Sequence, residues 1–163
     1  MSRHLILIGL PCSGKTTVGR LAALRLSLPF FDCDACVEET EGLSVPAIFA
    51  QKGEAYFRAA ERRALRQLCG GTESVIATGG GAVAAEENRL LLKGSGLVVF
   101  LDRDLSDIAS CLGNRERPLL KKYTLSELSR QRRAWYLDCA DAVLTGGTAE
   151  ELAAQAAGLW RSI

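Results

Sequence analysis

Histidine is almost missing from this chain: there is one, His4. Zinc wants four ligands at defined spacings, and the single Cys33-x-x-Cys36 pair beside one histidine does not supply them. Excess charge of one sign is missing too. The formal net charge is +1, and a sequence-independent nucleic-acid binder would carry a strong basic surplus. No run of like charges marks a tail or a membrane-surface helix. No segment approaches the roughly 20 apolar residues of a membrane span. Arg3 followed by the apolar Leu5 to Leu10 imitates a short signal peptide, but no small-residue cleavage site follows. The expectation is therefore a cytoplasmic protein with no nucleic-acid or membrane partner. Repeats, low-complexity stretches and linkers are absent as well, and 163 residues suit one domain spanning 1–163.

What is present is ordinary for a soluble globular protein, with 48% hydrophobic and 24% charged residues. Six cysteines are scattered at 12, 33, 36, 69, 111 and 139. A chain of this size folds on its own core, so they read as reduced thiols serving as small apolar residues. Strand patterns alternate with helical ones, the signature of an α/β fold with a parallel sheet covered on both faces. Leu5–Ile8 is the first strand. A helix runs from about Lys15 to Ser27, with Val18, Leu21, Ala22 and Leu24 giving its period. Strands follow at Phe30–Asp32, Ser74–Ala77, Leu97–Leu101 and Ala142–Leu144. Roughly 35–69 is helical, broken at Gly42 and Gly53. Thr124-x-x-Glu127 and Thr148-x-x-Glu151 fit the capping box and start two later helices. Gly113–Tyr123 is basic, contains Pro118 and shows no period, which makes it the candidate flap.

The chemistry begins at Gly9-Leu-Pro-Cys12-Ser13-Gly14-Lys15-Thr16, a complete G-x-x-x-x-G-K-[ST] between a strand and a helix. Its glycines let backbone amides curl around phosphate oxygens, and the next helix points its positive end at the same anion. Lys15 reaches the outer phosphates, and Thr16 supplies a hydroxyl to magnesium. Thr17 adjoins the same nucleotide site. A guanine-reading Asn-Lys-x-Asp is missing, and motor ATPases are usually larger. The basic flap, over about 112–124, suits a kinase whose lid excludes water from the phosphoryl group.

Three further constellations each admit two readings. Asp32 and Asp34 close a strand at the crevice where α/β sheets bind ligands, so one can serve magnesium through water and the other an acceptor hydroxyl. Equally, they form an acidic turn in which Asp34 caps the next helix. Arg58 and Glu61 sit one helical turn apart. They are either a surface ion pair or an arginine held so that its fork meets a substrate carboxylate. Gly79-Gly80-Gly81 either admits a ligand close to the backbone or is a flexible turn.

In this order and combination the motifs resemble the shikimate kinase family. They are the P-loop, the F-x-D-x-D of Phe30 to Asp34, the G-E-x-x-F-R-x-x-E of Gly53 to Glu61, and Gly79–Gly81. Arg117-Pro-Leu-Leu120 and the R-x-x-x-Y of Arg132 to Tyr136 before Ala140-Asp141 complete the set. The resemblance implies a three-layer P-loop kinase fold with a five-stranded parallel sheet and a mobile lid. It implies a monomer that transfers phosphate from ATP to the 3-hydroxyl of shikimate, with Mg2+, in aromatic amino acid biosynthesis. On that resemblance Lys15, Asp34 and Arg117 are catalytic. Asp34 would hold the reacting hydroxyl, and Arg117 would swing onto the phosphoryl group and the ATP. Gly9, Cys12, Ser13, Gly14, Lys15, Thr16 and Thr17 would bind ATP. Arg58 and Arg132 would clamp the substrate carboxylate, with Glu61, Gly79, Gly80 and Gly81 around it. Thr16 and Asp32 would serve the metal.

The chain also departs from the family pattern. The arginine that stacks on adenine in the family is Ser110 here, with Arg115 as the nearest substitute. The loop Thr145-Gly-Gly-Thr148 leaves only backbone for adenine. The family's R-x-P-L-Y reads Arg132-Arg-Ala-Trp-Tyr136, so Arg133 competes with Arg132 for the substrate position. Two rival readings stand beside this one: a P-loop kinase for another small acceptor, such as gluconate or a nucleoside monophosphate, and a non-catalytic nucleotide-binding regulator.

Overall fold

The structure is a computed structural model that describes residues 3–113 and 124–163. Arg115, Arg117 and nearly all of the expected lid lie outside the described residues. Five strands form one all-parallel sheet in the order β2-β3-β1-β4-β5: β1 (His4–Ile8), β2 (Phe30–Asp32), β3 (Val75–Ala77), β4 (Gly96–Asp102) and β5 (Ala142–Thr145). The central strand β1 is buried along its whole length and apolar from Leu5 to Ile8, because it is covered on both sides. Leu5 and Leu7 pack on α1 (Lys15–Leu26) and α8 (Ala149–Arg161). Ile6 and Ile8 point the other way, into a core with Leu65, Leu92, Leu128 and Tyr136. Those four residues come from α4 (Glu54–Cys69), α5 (Glu86–Ser95) and α7 (Leu125–Cys139). The three expected layers are therefore present, and each fully buried Leu or Ile contributes on the order of 1.5–3 kcal/mol.

The stretch expected to be helical from 35 splits into α2 (Cys33–Glu41), α3 (Val45–Lys52) and α4. It starts earlier than expected because Asp32 caps it: Asp32 Oδ1 accepts from Asp34 N at 3.0 Å and Ala35 N at 3.2 Å. Asp34 is thus not the cap. Val37, Ile48, Phe57 and Ala60 join α2, α3 and α4 in a separate small core. Helices α5 and α6 (Leu105–Leu112) have no counterpart in the sequence reading. Leu24, counted there in the apolar period of α1, is 77% exposed; Val18, Ala22 and Ala23 form the buried face. Both capping boxes form, at Thr124 for α7 and Thr148 for α8. Among the described residues no helix is long and apolar enough to cross a membrane.

The sheet reverses its winding between β1 and β4, whose following helices lead to opposite edges. Ligands of open α/β sheets bind at such reversals, outside the carboxyl ends of the strands. Helix α1 starts there and must lie close to the sheet. A Cβ on Gly19 would stand 2.5 Å from the Phe30 ring, whereas one on Gly158 of α8 would meet nothing within 4 Å. Gly19→Val should therefore cost about 2 kcal/mol through overpacking. Gly158→Ala should add roughly 0.5–1 kcal/mol by helix propensity. Urea unfolding of both variants checks the pair; equal effects would contradict the close approach of α1 to β2.

Candidate active site

The loop after β1 is built to turn its amides inward. Cys12 at φ 58° and Gly14 at φ 95° occupy the left-handed region. Gly9 lies against the end of β4, where a Cβ would stand 2.8 Å from Leu101 O. Gly14 caps α1 without a side chain, and the first turn of α1 carries no acidic residue. The amides of its first turn and the helix dipole together make an anion site. Lys15 is nearly buried, and its Nζ donates to Gly9 O and Leu10 O, both at 2.7 Å. The ammonium is thus held over the loop. Thr16 Oγ1 donates to Asp32 Oδ2 at 2.7 Å.

The second half of the site comes from β2, β3, α4 and α7. Asp34 lies in the first turn of α2 and lines the central cavity, of about 530 Å³. Arg58 Nη1 donates to Glu61 Oε1 at 2.9 Å, and its other nitrogen lies 3.7 Å from Glu54. Three glycines pass between these groups. A Cβ on Gly79 would stand 2.7 Å from Glu61 Oε2 and 2.8 Å from Asp34 Oδ1. One on Gly80 would stand 3.2 Å from Arg132 Nη1, and one on Gly81 would run into the Arg58 guanidinium. Close approach, not turn flexibility, accounts for the run of glycine.

Arg132 is 5% exposed and faces the cavity. Its neighbour Arg133 faces the other way, with Nη1 and Nη2 each 2.9 Å from an oxygen of Asp102. Of the two arginines, only Arg132 lines the cavity. One turn beyond Arg132, Tyr136 Oη donates to Gly80 O at 2.5 Å. Burial pushes the Tyr136 phenol up to about 12, so it stays a donor. Burial also raises the Glu61 carboxyl above its ordinary value, while Arg58 and Arg132 pull the opposite way. Glu61 Oε2 has no hydrogen-bond partner among the described residues.

Lys15, Thr16, Thr17, Asp32, Asp34, Arg58, Glu61, Gly79–Gly81 and Arg132 all line one cavity, together with Cys12 and Gly14. Gly9 and Ser13 stand behind the loop and do not line it. Tyr136, which the sequence reading quoted in a motif without giving it a part, does not line the cavity but bonds to Gly80, which does. The signal was available, since Arg132 and Tyr136 are four apart on one helical face. Sequence reasoning also missed the apolar wall of Val45, Pro46, Phe49, Phe57 and Leu128. Nothing local marks that wall, because its residues come from α3, α4 and α7. In the Cys33-x-x-Cys36 pair Cys33 is buried, and that burial raises its thiol above the ordinary value. Thr16 Oγ1 and Asp32 Oδ2 offer hard oxygen beside the loop. That donor set fits magnesium, which takes few protein ligands and is completed by phosphate oxygens and water.

A strand, an amide-lined loop and a helix at the sheet's reversal, facing a pocket that carries both acids and arginines, define a P-loop phosphotransferase of the small-molecule kinase type. The comparisons with known proteins narrow this. The family model for shikimate kinase matches residues 11–158, and the chain belongs to that family. A shikimate kinase of Geobacter sulfurreducens is 44% identical over 154 residues, covering 91% of this chain and 85% of the relative. One from Salinispora arenicola is 43% identical over 98% of both chains. Among solved structures, shikimate kinase from Acinetobacter baumannii in complex with shikimate superposes with a TM-score of 0.91 at 32% identity. It covers 99% of this chain and 94% of that one. A gluconokinase from Sinorhizobium meliloti, 18% identical with a TM-score of 0.54, shares the fold alone.

Glu61 gives a pH signature. Its folded value lies above its unfolded one, so the folded state keeps its proton longer as pH rises. Stability from this group is present below the ordinary carboxylate value and lost as pH climbs through the raised one. Urea unfolding of wild type and Glu61→Gln across that window should show wild type losing stability relative to the variant as pH increases. A difference that is flat or rises with pH would contradict the assignment.

Proposed function

We propose that this chain transfers the terminal phosphoryl group of ATP to the 3-hydroxyl of shikimate, giving shikimate 3-phosphate and ADP. The observation that carries this reading is the convergence of Arg58, Arg132 and Asp34 on the cavity that Lys15 and Thr16 also line. A hydroxylated carboxylic acid needs such a set, with guanidinium forks for its carboxylate and a carboxylate for its hydroxyl. Asp34 positions that hydroxyl and takes its proton as the new P–O bond forms and the bond to ADP breaks. Phosphoryl transfer asks for alignment and positive charge rather than covalent help from the protein. The loop amides and Lys15 supply both. Glu61 holds Arg58 at the angle its fork requires, and Tyr136 fixes the Gly80 backbone beside the substrate. Thr16 and Asp32 would hold magnesium, which when bound neutralises charge on the phosphates. The enzyme works as a cytosolic monomer in the synthesis of aromatic amino acids on this reading.

The test is ADP release from ATP and magnesium with and without shikimate, using gluconate and nucleoside monophosphates as controls. Release that depends on shikimate alone is expected. Release driven equally by gluconate would sink the acceptor assignment. In the same assay Arg58→Ala should raise the KM for shikimate roughly 10–100-fold, since a charge-assisted hydrogen bond is lost. The KM for ATP should stay within about twofold, because Arg58 lies on the acceptor side. Equal rises in both constants would remove Arg58 from the acceptor site.

A further inference from the structure

Arg103 follows β4 directly, in the crevice where β1 and β4 part. One of its guanidinium nitrogens lies 3.8 Å from where a Cβ would stand on Gly14, the cap of α1. The side chain is half-buried and forms no hydrogen bond or ion pair with a described residue. The acids beside it are occupied or turned out: Asp102 is held by both nitrogens of Arg133, and Asp104 is exposed. Helix α6, which comes next, carries no basic residue, and the Ser110 hydroxyl is taken by Ser106 O. Arg103 is therefore the one cation among the described residues from the end of β4 through α6. It does not line the acceptor cavity. The acceptor groups Asp34 and Gly79–Gly81 follow β2 and β3, on the other side of the loop.

We propose that Arg103 is a nucleotide-binding residue whose fork engages the phosphates that stay on the nucleotide. The transferred phosphoryl group must face the acceptor, so the rest of the polyphosphate extends from the loop toward β4. A guanidinium there meets phosphate oxygens bidentately and supplements the amides of the loop. The inference rests on the P-loop reading above but not on the identity of the acceptor. It makes Arg103 a determinant of nucleotide affinity rather than of the chemical step.

The experiment titrates ADP into wild type, Arg103→Gln and Arg103→Lys by calorimetry. It then measures inorganic tripolyphosphate as a competitor of ADP. Arg103→Gln should weaken ADP and tripolyphosphate about tenfold or more, by similar factors. Arg103→Lys keeps the charge without the fork and should fall between. It carries the test if the glutamine variant folds poorly. In steady-state kinetics the loss should appear in the KM for ATP, not in that for the acceptor. Unchanged ADP affinity in both variants would overturn the assignment. So would a loss confined to ADP, since tripolyphosphate has no base or ribose. A chain that fails to phosphorylate shikimate yet shows these binding losses would overturn the acceptor and leave Arg103 in place.

Discussion

One carboxylate ties the two halves of the site together. Asp32 Oδ2 accepts the Thr16 hydroxyl on the phosphate-binding helix, while its Oδ1 caps α2 through Asp34 N and Ala35 N. The side chain that anchors Thr16 therefore also sets where Asp34 stands. The phosphate-binding loop and α2 are joined by a bridge one residue wide. Phosphoryl transfer depends on in-line geometry, so a rigid link between the two halves serves it directly.

Around that bridge the structure buries charge at some cost. Glu61 is 1% exposed, and burial works against its ionisation. It is tolerated because Arg58 and Arg132 flank it, and because the glycine run leaves room for all three. The arrangement contributes little to net stability, since desolvation offsets the attraction of buried pairs. Its value is positional. An arginine locked by a carboxylate loses less freedom when it engages a ligand. Tyr136 acts in the same way on the Gly80 backbone, which its hydroxyl fixes in place.

Much of the fold was legible because its signals are local. The five strands came from short apolar runs, and every strand boundary agrees with the sequence reading to within one residue. The capping boxes at Thr124 and Thr148 were readable because each closes within four residues. Helices α5 and α6 were missed for the same reason in reverse. Neither carries a side-chain cap, so no short motif announces their starts.

The sequence by itself determined the phosphate-binding loop, the parallel sheet and the acidic, arginine and glycine motifs, since each is a pattern of neighbours whose backbone chemistry is self-contained. Tertiary structure decided what those motifs face. It pointed Arg132 into the cavity and Arg133 to Asp102, because the two lie on different faces of α7. It assigned the cap to Asp32 rather than Asp34, because Thr16 holds Asp32 from sixteen residues away. It also set Arg103 beside Gly14, a proximity that exists only because β1 and β4 are adjacent in the sheet. Contacts between elements distant in the chain follow from packing and topology, and no local pattern encodes them.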